Sequence, residues 1–221
     1  IIIASISFAG LEFKLTTFLL SLAGDSLFLL VLFTAVLSFI LGMGLPVLPA
    51  YIIVSLVTAP LLVDSGLSTV TAHLFVFYFA MMSLYSPPVA PCSFVAAGIA
   101  ETGPFRVGWE SMKLGVGAMT IPFLFVYHPV LLTWNPVGQF ILTVIPLAIG
   151  IYALSCGLTR FIWTKLSLAE SLIVWVCALM LFVPYPALQC IGFVLFAAAF
   201  FLNLRRGRMA RTALRRHDAH V

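Results

Sequence analysis

Long apolar runs dominate the pattern of hydrophobic and polar positions along this chain. Four runs contain no Asp, Glu, Lys or Arg, and each is longer than the ~20 residues that a helix needs to cross a bilayer. These runs are 26–63, 65–100, 114–159 and 171–204. Hydrocarbon offers no partner to an unpaired backbone group, so such runs predict membrane-spanning helices. We therefore expect an all-α polytopic membrane protein.

The first run is too long to be a single crossing. As one helix, residues 26–63 would extend about 57 Å, roughly twice the ~30 Å thickness of the hydrocarbon layer. The segment 42–49, which begins Gly-Met-Gly-Leu-Pro, divides the run into apolar arms at 27–41 and 50–63. Each arm would be about 21–23 Å long, which is short for a full crossing. We predict a re-entrant helical hairpin over 25–65, with its tip near the middle of the membrane.

A second break lies in the next run. The segment from Ser83 to Pro91 interrupts the uncharged stretch 68–100. Pro87 and Pro88 lack a backbone N–H, and each disfavours helical geometry at the residue before it. We predict one discontinuous transmembrane helix within 66–101, whose halves meet at a depth similar to that of the hairpin tip. Carbonyl groups upstream of the prolines should be left free.

The remaining segments complete the predicted organisation. They are the end of an upstream helix with an interfacial arm (1–24), a transmembrane helix with its loops (102–135), C-terminal transmembrane helices (136–204) and a basic cytoplasmic tail (205–221). The helix within 102–135 is expected at 109–128. The charged residues near its start should form a solvated loop: Glu101, Arg106, Glu110 and Lys113. Because the chain opens on Ile1 with neither an initiator Met nor a signal peptide, we expect the C-terminal part of a longer polypeptide.

Composition and charge exclude several classes of protein. With 63% hydrophobic residues, 8% charged residues and a mean hydropathy of +1.20, the chain lies outside the range of soluble globular proteins. The net charge of +4 comes from six arginines in the last 17 residues. Directly after an apolar helix, such a cluster indicates a cytoplasmic anchor facing anionic lipid rather than a site for nucleic acid. We expect a multi-pass protein whose C-terminus is cytoplasmic.

The two breaks are the best candidates for chemistry. Secondary transporters place interrupted helices at mid-membrane, where free carbonyls coordinate Na⁺ and helix N-termini face anionic substrates. Gly42 and Gly44 permit close backbone approach, and Pro46 suits the first turn of a returning helix. Ser83 and Ser86 add hydroxyl oxygens, which suit a hard cation. A single break could be a simple kink, but two adjacent breaks favour an ion or substrate site. Na⁺ is an ion that such oxygen atoms would suit, and no cofactor is expected.

Other readings stay open. His73 is an ionisable group within an apolar span, so it could contact substrate or relay protons, or it could be a neutral histidine bonded to a neighbouring helix. An intramembrane enzyme would need a nucleophile with a base, a carboxylate pair or a metal cluster at membrane depth. The spans contain no Asp or Glu. We therefore expect a transport protein rather than an enzyme. A non-catalytic assembly or scaffold subunit is the first alternative, and an intramembrane enzyme is a less favoured one.

Several separated motifs resemble one transporter family. The chain is similar to the large membrane subunit of TRAP (tripartite ATP-independent periplasmic) transporters, and most to the fused-permease branch that works with TAXI-type binding proteins. Similarity is densest over about residues 40–130. The motifs that carry it are Gly42-Met43-Gly44-Leu45-Pro46 through Ala50-Tyr51, Ala72-His73-Leu74-Phe75-Val76-Phe77-Tyr78-Phe79, Ser86-Pro87-Pro88-Val89-Ala90 and Ala96-Ala97-Gly98-Ile99-Ala100.

The resemblance implies an activity and partners. It implies Na⁺-coupled uptake of a small organic anion, such as a carboxylate, by an elevator-type fold built from two inverted repeats, of which this chain holds the second. The implied partners are the N-terminal half of the same permease, a small membrane subunit that can be fused upstream, and a periplasmic TAXI-type binding protein. The implied location is the cytoplasmic (inner) membrane of a bacterium or archaeon.

The two breaks and the resemblance together give the candidate site residues. The hairpin tip and the break, where Ser86 to Val89 match the family's Thr-Pro-Pro-Val, would bind ion and substrate. These residues are Gly42, Met43, Gly44, Pro46, Ser83, Ser86, Pro87, Pro88 and Val89. Na⁺ would be held through Gly42, Gly44 and Ser86. Pro91 departs from the family's pattern.

Overall fold

The computed structural model describes the backbone of residues 10–24, 26–133 and 136–218. Side chains are described for residues 10, 13–24, 26–133 and 136–205. Apart from Gly10, the predicted end of an upstream helix lies outside the described residues. So do the side chains of the basic tail beyond Arg205.

Regular structure in the described residues is helical, apart from one isolated bridge between Phe161 and Lys165. The helices are α1 (Leu11–Ala23), α2 (Leu27–Gly42), α3 (Val47–Asp64), α4 (Thr69–Met82), α5 (Pro91–Ile99), α6 (Pro104–Tyr127), α7 (Val130–Thr133), α8 (Val137–Thr159), α9 (Leu168–Phe182) and α10 (Pro186–Asp218). Within these ranges, three segments are long and apolar enough to cross a membrane, namely α3, α8 and Pro186–Arg205 of α10. The prediction of an all-α polytopic membrane protein is confirmed.

The chain forms two compact units. The first unit comprises residues 1–132, and the second comprises residues 133–221. Both predicted breaks lie in the first unit, which contains α1 to α6.

Helices α2 and α3 occupy the region predicted as a hairpin. Ser26 caps the start of α2, where its Oγ accepts a hydrogen bond from Leu29 N at 3.4 Å. Pro46 precedes the first residue of α3, and Pro49 lies in the first turn, where a missing N–H leaves no helical bond unmade. Because α3 begins at Val47 rather than at residue 50, the second arm is longer than the pattern predicted. Its length and composition are sufficient for a crossing.

Helix α4 lies at the centre of the first unit. Its buried side chains pack with those of α2 and α3 in one cluster: Val31, Ala35, Val54, Ala59, Leu62, Ala72, Phe75, Val76, Phe79 and Met82. Phe123 of α6 meets the rings of Phe75 and Phe79 edge-on, with centroids 5.5 and 5.6 Å apart. In a membrane such contacts act through close van der Waals packing, since lipid is as apolar as the side chains. This packing fixes the end of α4 beside the hairpin.

The charged segment before residue 109 is helical, which corrects the expected loop. Helix α6 begins at Pro104, a residue suited to the first helical position. Arg106, Glu110 and Lys113 therefore lie on this helix, and only Glu101 lies before it. Lys113 Nζ and Glu110 Oε1 are 2.8 Å apart on the exposed surface.

The second unit packs three helices through small residues and one buried amide. At Gly157 of α8, Trp175 of α9 occupies the space that a Cβ would need, and Ser171 Oγ donates to Gly157 O at 2.5 Å. Asn203 of α10 binds the loop that joins α8 to α9. Its Oδ1 accepts from Trp163 N at 3.0 Å and from Thr164 N at 2.9 Å. Helix α10 continues past the predicted span and through the basic segment to Asp218.

Candidate functional site

The hairpin tip is a four-residue turn between α2 and α3. Helix α2 ends at Gly42, Met43 is extended, and Gly44 adopts a φ of +77°. This left-handed conformation favours glycine because other residues would place a Cβ against the backbone. Leu45 N donates to Gly42 O at 3.5 Å, which closes the turn. The tip is therefore compact and built around its two glycines.

The helix break spans residues 83–90, between the end of α4 at Met82 and the start of α5 at Pro91. Ser86 Oγ donates to Met82 O at 2.9 Å. Two further bonds close the segment, from Cys92 N to Leu84 O at 3.1 Å and from Ser93 Oγ to Tyr85 O at 2.9 Å.

The expectation of free carbonyls is therefore wrong for two residues upstream of the prolines. Leu84 O is one of the groups that lose a helical donor to the prolines, yet it accepts from Cys92 N across the break. Tyr85 O accepts from Ser93 Oγ. The break folds back on itself, so Cys92 N and Ser93 Oγ of α5 serve as donors to carbonyl groups of the interrupted helix.

Tip and break are in direct contact. Ser83 Oγ lies 2.8 Å from Gly42 O and 2.7 Å from Ala80 O, so its single hydrogen serves one carbonyl at a time. A Cβ at Gly42 would lie 2.9 Å from Ala80 O and 3.0 Å from Ser83 Oγ. On the other side of the tip, a Cβ at Gly44 would lie 3.7 Å from Val89 Cγ1. We call this meeting of residues 42–46 with residues 83–90 the tip–break contact.

Four helix ends meet at the tip–break contact. Helices α2 and α4 end there, and α3 and α5 begin there. The last carbonyls of a helix carry partial negative charge, and the first N–H groups carry partial positive charge. No residue of either segment carries a formal charge. The contact therefore presents oxygen dipoles suited to a cation next to the start of α3, which suits an anion. At the start of α5, Pro91 has no N–H, and Cys92 N already donates to Leu84 O.

Burial divides the predicted site residues into three groups. Gly42, Ser83 and Ser86 are buried, and both serine side chains are 0% exposed. Met43 and Pro87 are half-buried. The remaining predicted residues lie on the surface of the first unit: Gly44, Pro46, Pro88 and Val89. The contact thus has a closed inner end and an open outer end.

The structure places His73 away from this contact. His73 precedes Ser83 by ten residues on α4, a rise of about 15 Å along the helix. Its Nδ1 lies 2.9 Å from the hydroxyl of Tyr51 on α3, and the two side chains line a shallow groove of about 530 Å³. This contact agrees with the second of the two predictions for His73, a histidine bonded to a neighbouring helix.

Sequence reasoning missed two glycines of α6 against which residues of the break pack. A Cβ at Gly108 of α6 would lie 2.9 Å from Pro87 Cγ, and one at Gly115 would lie 3.0 Å from the ring of Tyr85. Their spacing of seven residues on one helix was the available signal, since small residues at such spacing let membrane helices approach closely. Thr34 and Ser38 on α2 were also missed. Both are buried, and nothing in the uncharged run distinguishes them.

Comparison with known proteins identifies the family. No match to the chain was found among curated proteins or among solved structures. A family model described as "Tripartite ATP-independent periplasmic transporter, DctM component" matches residues 1–140, which include the whole first unit. The match covers more than half of the 221 residues. The chain therefore belongs to the DctM component family, the membrane permeases of tripartite ATP-independent periplasmic transporters.

Proposed function

We propose that this chain carries one half of the ion and substrate site of a Na⁺-coupled importer of a small organic anion, such as a carboxylate. The tip–break contact is the observation that carries the proposal. It joins two non-helical segments 41 residues apart through the bond from Ser83 Oγ to Gly42 O. Non-helical backbone at membrane depth is tolerated only where protein or a wet cavity supplies partners.

The oxygen atoms at the inner end of the contact suit Na⁺. When Ser83 and Ser86 donate their hydrogens to carbonyl groups, the lone pairs of both hydroxyls remain available to a cation. Hard cations prefer such oxygen ligands. We assign Na⁺ coordination to Gly42, Gly44 and Ser86, as the family resemblance implies, with Ser83 connecting the two segments.

The substrate position follows from the helix N-termini. Helix α3 begins at the contact, and discontinuous helices of transporters direct such ends at anionic groups. The exposed residues at the outer end, with Met43 and Pro87, form the proposed substrate face. His73 is proposed as a more distant contact for substrate or protons, held by Tyr51.

The proposed assembly supplies what these residues lack. The N-terminal half of the same permease would complete the site against the exposed outer end, in an elevator-type fold of two inverted repeats. A small membrane subunit and a periplasmic binding protein of the TAXI type are the proposed partners. We propose the cytoplasmic membrane of a bacterium or archaeon as the location, with the C-terminus in the cytoplasm.

Uptake into liposomes tests this function. We expect the reconstituted permease with its binding protein to take up labelled carboxylate only under an inward Na⁺ gradient. Ser86→Ala should raise the Na⁺ concentration for half-maximal uptake, because it removes one proposed ligand. Ser155→Ala is the control, since Ser155 Oγ also donates to the carbonyl four residues earlier, that of Ile151, but lies in the second unit.

Three outcomes would contradict the proposal. Uptake that is indifferent to Na⁺ excludes the coupling. Unchanged uptake in variants across 42–46 and 83–90 favours an assembly or scaffold subunit instead. An equal response of the Ser155→Ala control shows a general packing effect.

A further inference from the structure

The second unit contains an apolar groove that the proposed function does not use. The groove has a volume of about 430 Å³. It extends from Leu142 to Ile149 on α8 and from Pro186 to Val194 on α10, with Leu181 of α9 between them. Every residue that lines it lies beyond the segment that matches the family. The groove is therefore a feature of the part of the chain to which the match assigns no role.

The packing of three helices creates this groove. Helices α8 and α10 both pack against α9 and contact each other little. Each approaches Leu181 of α9 through a glycine, since a Cβ at Gly150 would lie 3.2 Å from Leu181 Cβ and one at Gly192 would lie 3.3 Å from Leu181 Cγ. Small residues permit such close approach between membrane helices. Helix α9 therefore forms the floor of the groove, and α8 and α10 form its walls.

The lining of the groove is apolar and uncharged. All of its residues lie in the runs 114–159 and 171–204, which contain no charged residue. The amide of Gln189 is used by the protein itself, because its Nε2 donates to Val183 O at 3.1 Å. The walls have exposed edges, at Leu142 (72% exposed) and Val194 (64%). Since both walls belong to segments that are long and apolar enough to cross a membrane, we expect these edges to face hydrocarbon.

The dimensions of the groove favour a single hydrocarbon chain over a partner helix. From Pro186 to Val194 the helix rises about 12 Å, which is less than half of the ~30 Å hydrocarbon thickness. A helix with its side chains is about 10–12 Å wide, so a cavity of 430 Å³ over this length is too narrow to admit one. An acyl chain, in contrast, enters from its own leaflet and needs only a narrow apolar channel.

We propose that this groove holds an acyl chain of a membrane phospholipid. The groove begins close to the starts of α8 and α10, and α8 begins without a side-chain cap among the described residues. The first N–H groups of a helix carry partial positive charge and suit a phosphate group. The phosphate would therefore lie at the mouth of the groove and the acyl chain within it. This inference goes beyond the proposed function and does not depend on Na⁺.

Cys190→Trp tests the groove, because Cys190 lines it and an indole would fill it. Ile191→Trp is the matched control, since the next residue is also exposed but lies outside the lining. The purified, delipidated permease is incubated with palmitoyl-oleoyl phosphatidylethanolamine, and bound lipid is measured by native mass spectrometry. We expect wild type and Ile191→Trp to bind the lipid alike. Cys190→Trp should bind it at least roughly tenfold more weakly, because several methylene groups lose their contacts.

Two further measurements use the groove without a tryptophan. In Cys92→Ala protein, Cys190 is the remaining exposed cysteine, because Cys156 and Cys177 are buried. Added phosphatidylethanolamine should slow alkylation of Cys190 by N-ethylmaleimide roughly threefold or more, since bound lipid covers the thiol. Diacylglycerol with the same acyl chains should bind wild type more weakly, because it has no phosphate. These measurements keep the proposal testable if Cys190→Trp does not fold.

Four outcomes would overturn the proposal. Equal lipid binding by Cys190→Trp and wild type would exclude the groove as the binding site, and an equal loss in Ile191→Trp would show a general effect of tryptophan. Equal binding of diacylglycerol would exclude a phospholipid as the preferred ligand. A Cys190 that stays shielded in delipidated permease would show that a protein segment covers the groove instead.

Discussion

The contact between hairpin and broken helix depends on the absence of a side chain at Gly42. A Cβ at Gly42 would meet the backbone of Ala80 and the short, buried side chain of Ser83. Neither can swing aside as the end of a long side chain could. Gly44 is constrained differently, by its φ of +77°. The two glycines of the tip are therefore required for separate physical reasons, one for space and one for backbone conformation.

Gly42→Ala should loosen the tip–break contact. The added methyl group overpacks against Ala80 O, which typically costs about 1–3 kcal/mol. We expect a lower Tm in detergent and a higher Na⁺ concentration for half-maximal uptake. Gly98→Ala on α5 is the control, because a Cβ there meets nothing within 4 Å. That variant should match or exceed wild-type stability, by up to about 1 kcal/mol. Equal losses in both variants would show that the effect is not specific to the contact.

At the scale of elements, α5 explains a proline that the family resemblance left unexplained. Pro91 is the first residue of this helix, where its fixed φ suits the helix and its missing N–H costs no hydrogen bond. The residue before it, Ala90, adopts a left-handed conformation with a φ of +35°. A non-glycine residue is unfavourable there. Helix α5 therefore starts with a residue suited to its position, Pro91, and follows a strained one, Ala90.

Ala90→Gly should stabilise the protein. Glycine removes the left-handed penalty but adds flexibility to the unfolded chain, so we expect a net gain of up to about 1 kcal/mol, seen as a higher Tm. Ala100→Gly at the other end of α5 is the control, because Ala100 has an ordinary φ of −85°. It should lower Tm slightly. A lower Tm for Ala90→Gly would show that the strain at Ala90 does not limit stability.

For the molecule as a whole, the family match covers the unit that contains the candidate site. Residues 1–140 match the family, and every predicted site residue lies before residue 133. Most of the second unit lies beyond the match. It is held by its own contacts, including the buried amide of Asn203 and the close packing at Gly157. Its stability can therefore be probed without altering a residue of the tip–break contact.

Asn203→Ala should destabilise the second unit. It removes the acceptor shared by Trp163 N and Thr164 N, and the loss of one partner from a buried bond costs about 1–3 kcal/mol. We expect a lower Tm with an unchanged Na⁺ requirement for uptake by the folded protein. Thr143→Val is the control, since its exposed hydroxyl bonds only to its own helix and its loss should stay within about 0.5 kcal/mol. A changed Na⁺ requirement in Asn203→Ala would show that the second unit influences the site.

The sequence alone determined the helical class and the position of both interruptions. The pattern predicted breaks at 42–49 and 83–91, and the structure ends α2 at Gly42, ends α4 at Met82 and begins α5 at Pro91. These features are local: a bilayer demands long uncharged helices, while proline and glycine act on their own backbone. The helical conformation of the charged start of α6 was not predicted from the apolar pattern, because a helix does not need an apolar sequence unless it lies in hydrocarbon.

Only the tertiary structure decided which atoms meet. It joined Ser83 to Gly42 across 41 residues, paired His73 with Tyr51, and left the hydroxyls of Thr34 and Ser38 without partners. The sequence does not show whether the hydroxyl of a serine in an apolar run bonds to its own helix, to a neighbouring helix or to an ion. Its partner depends on which distant backbone packs against it, and that is set by side-chain packing between helices rather than by the pattern along one of them.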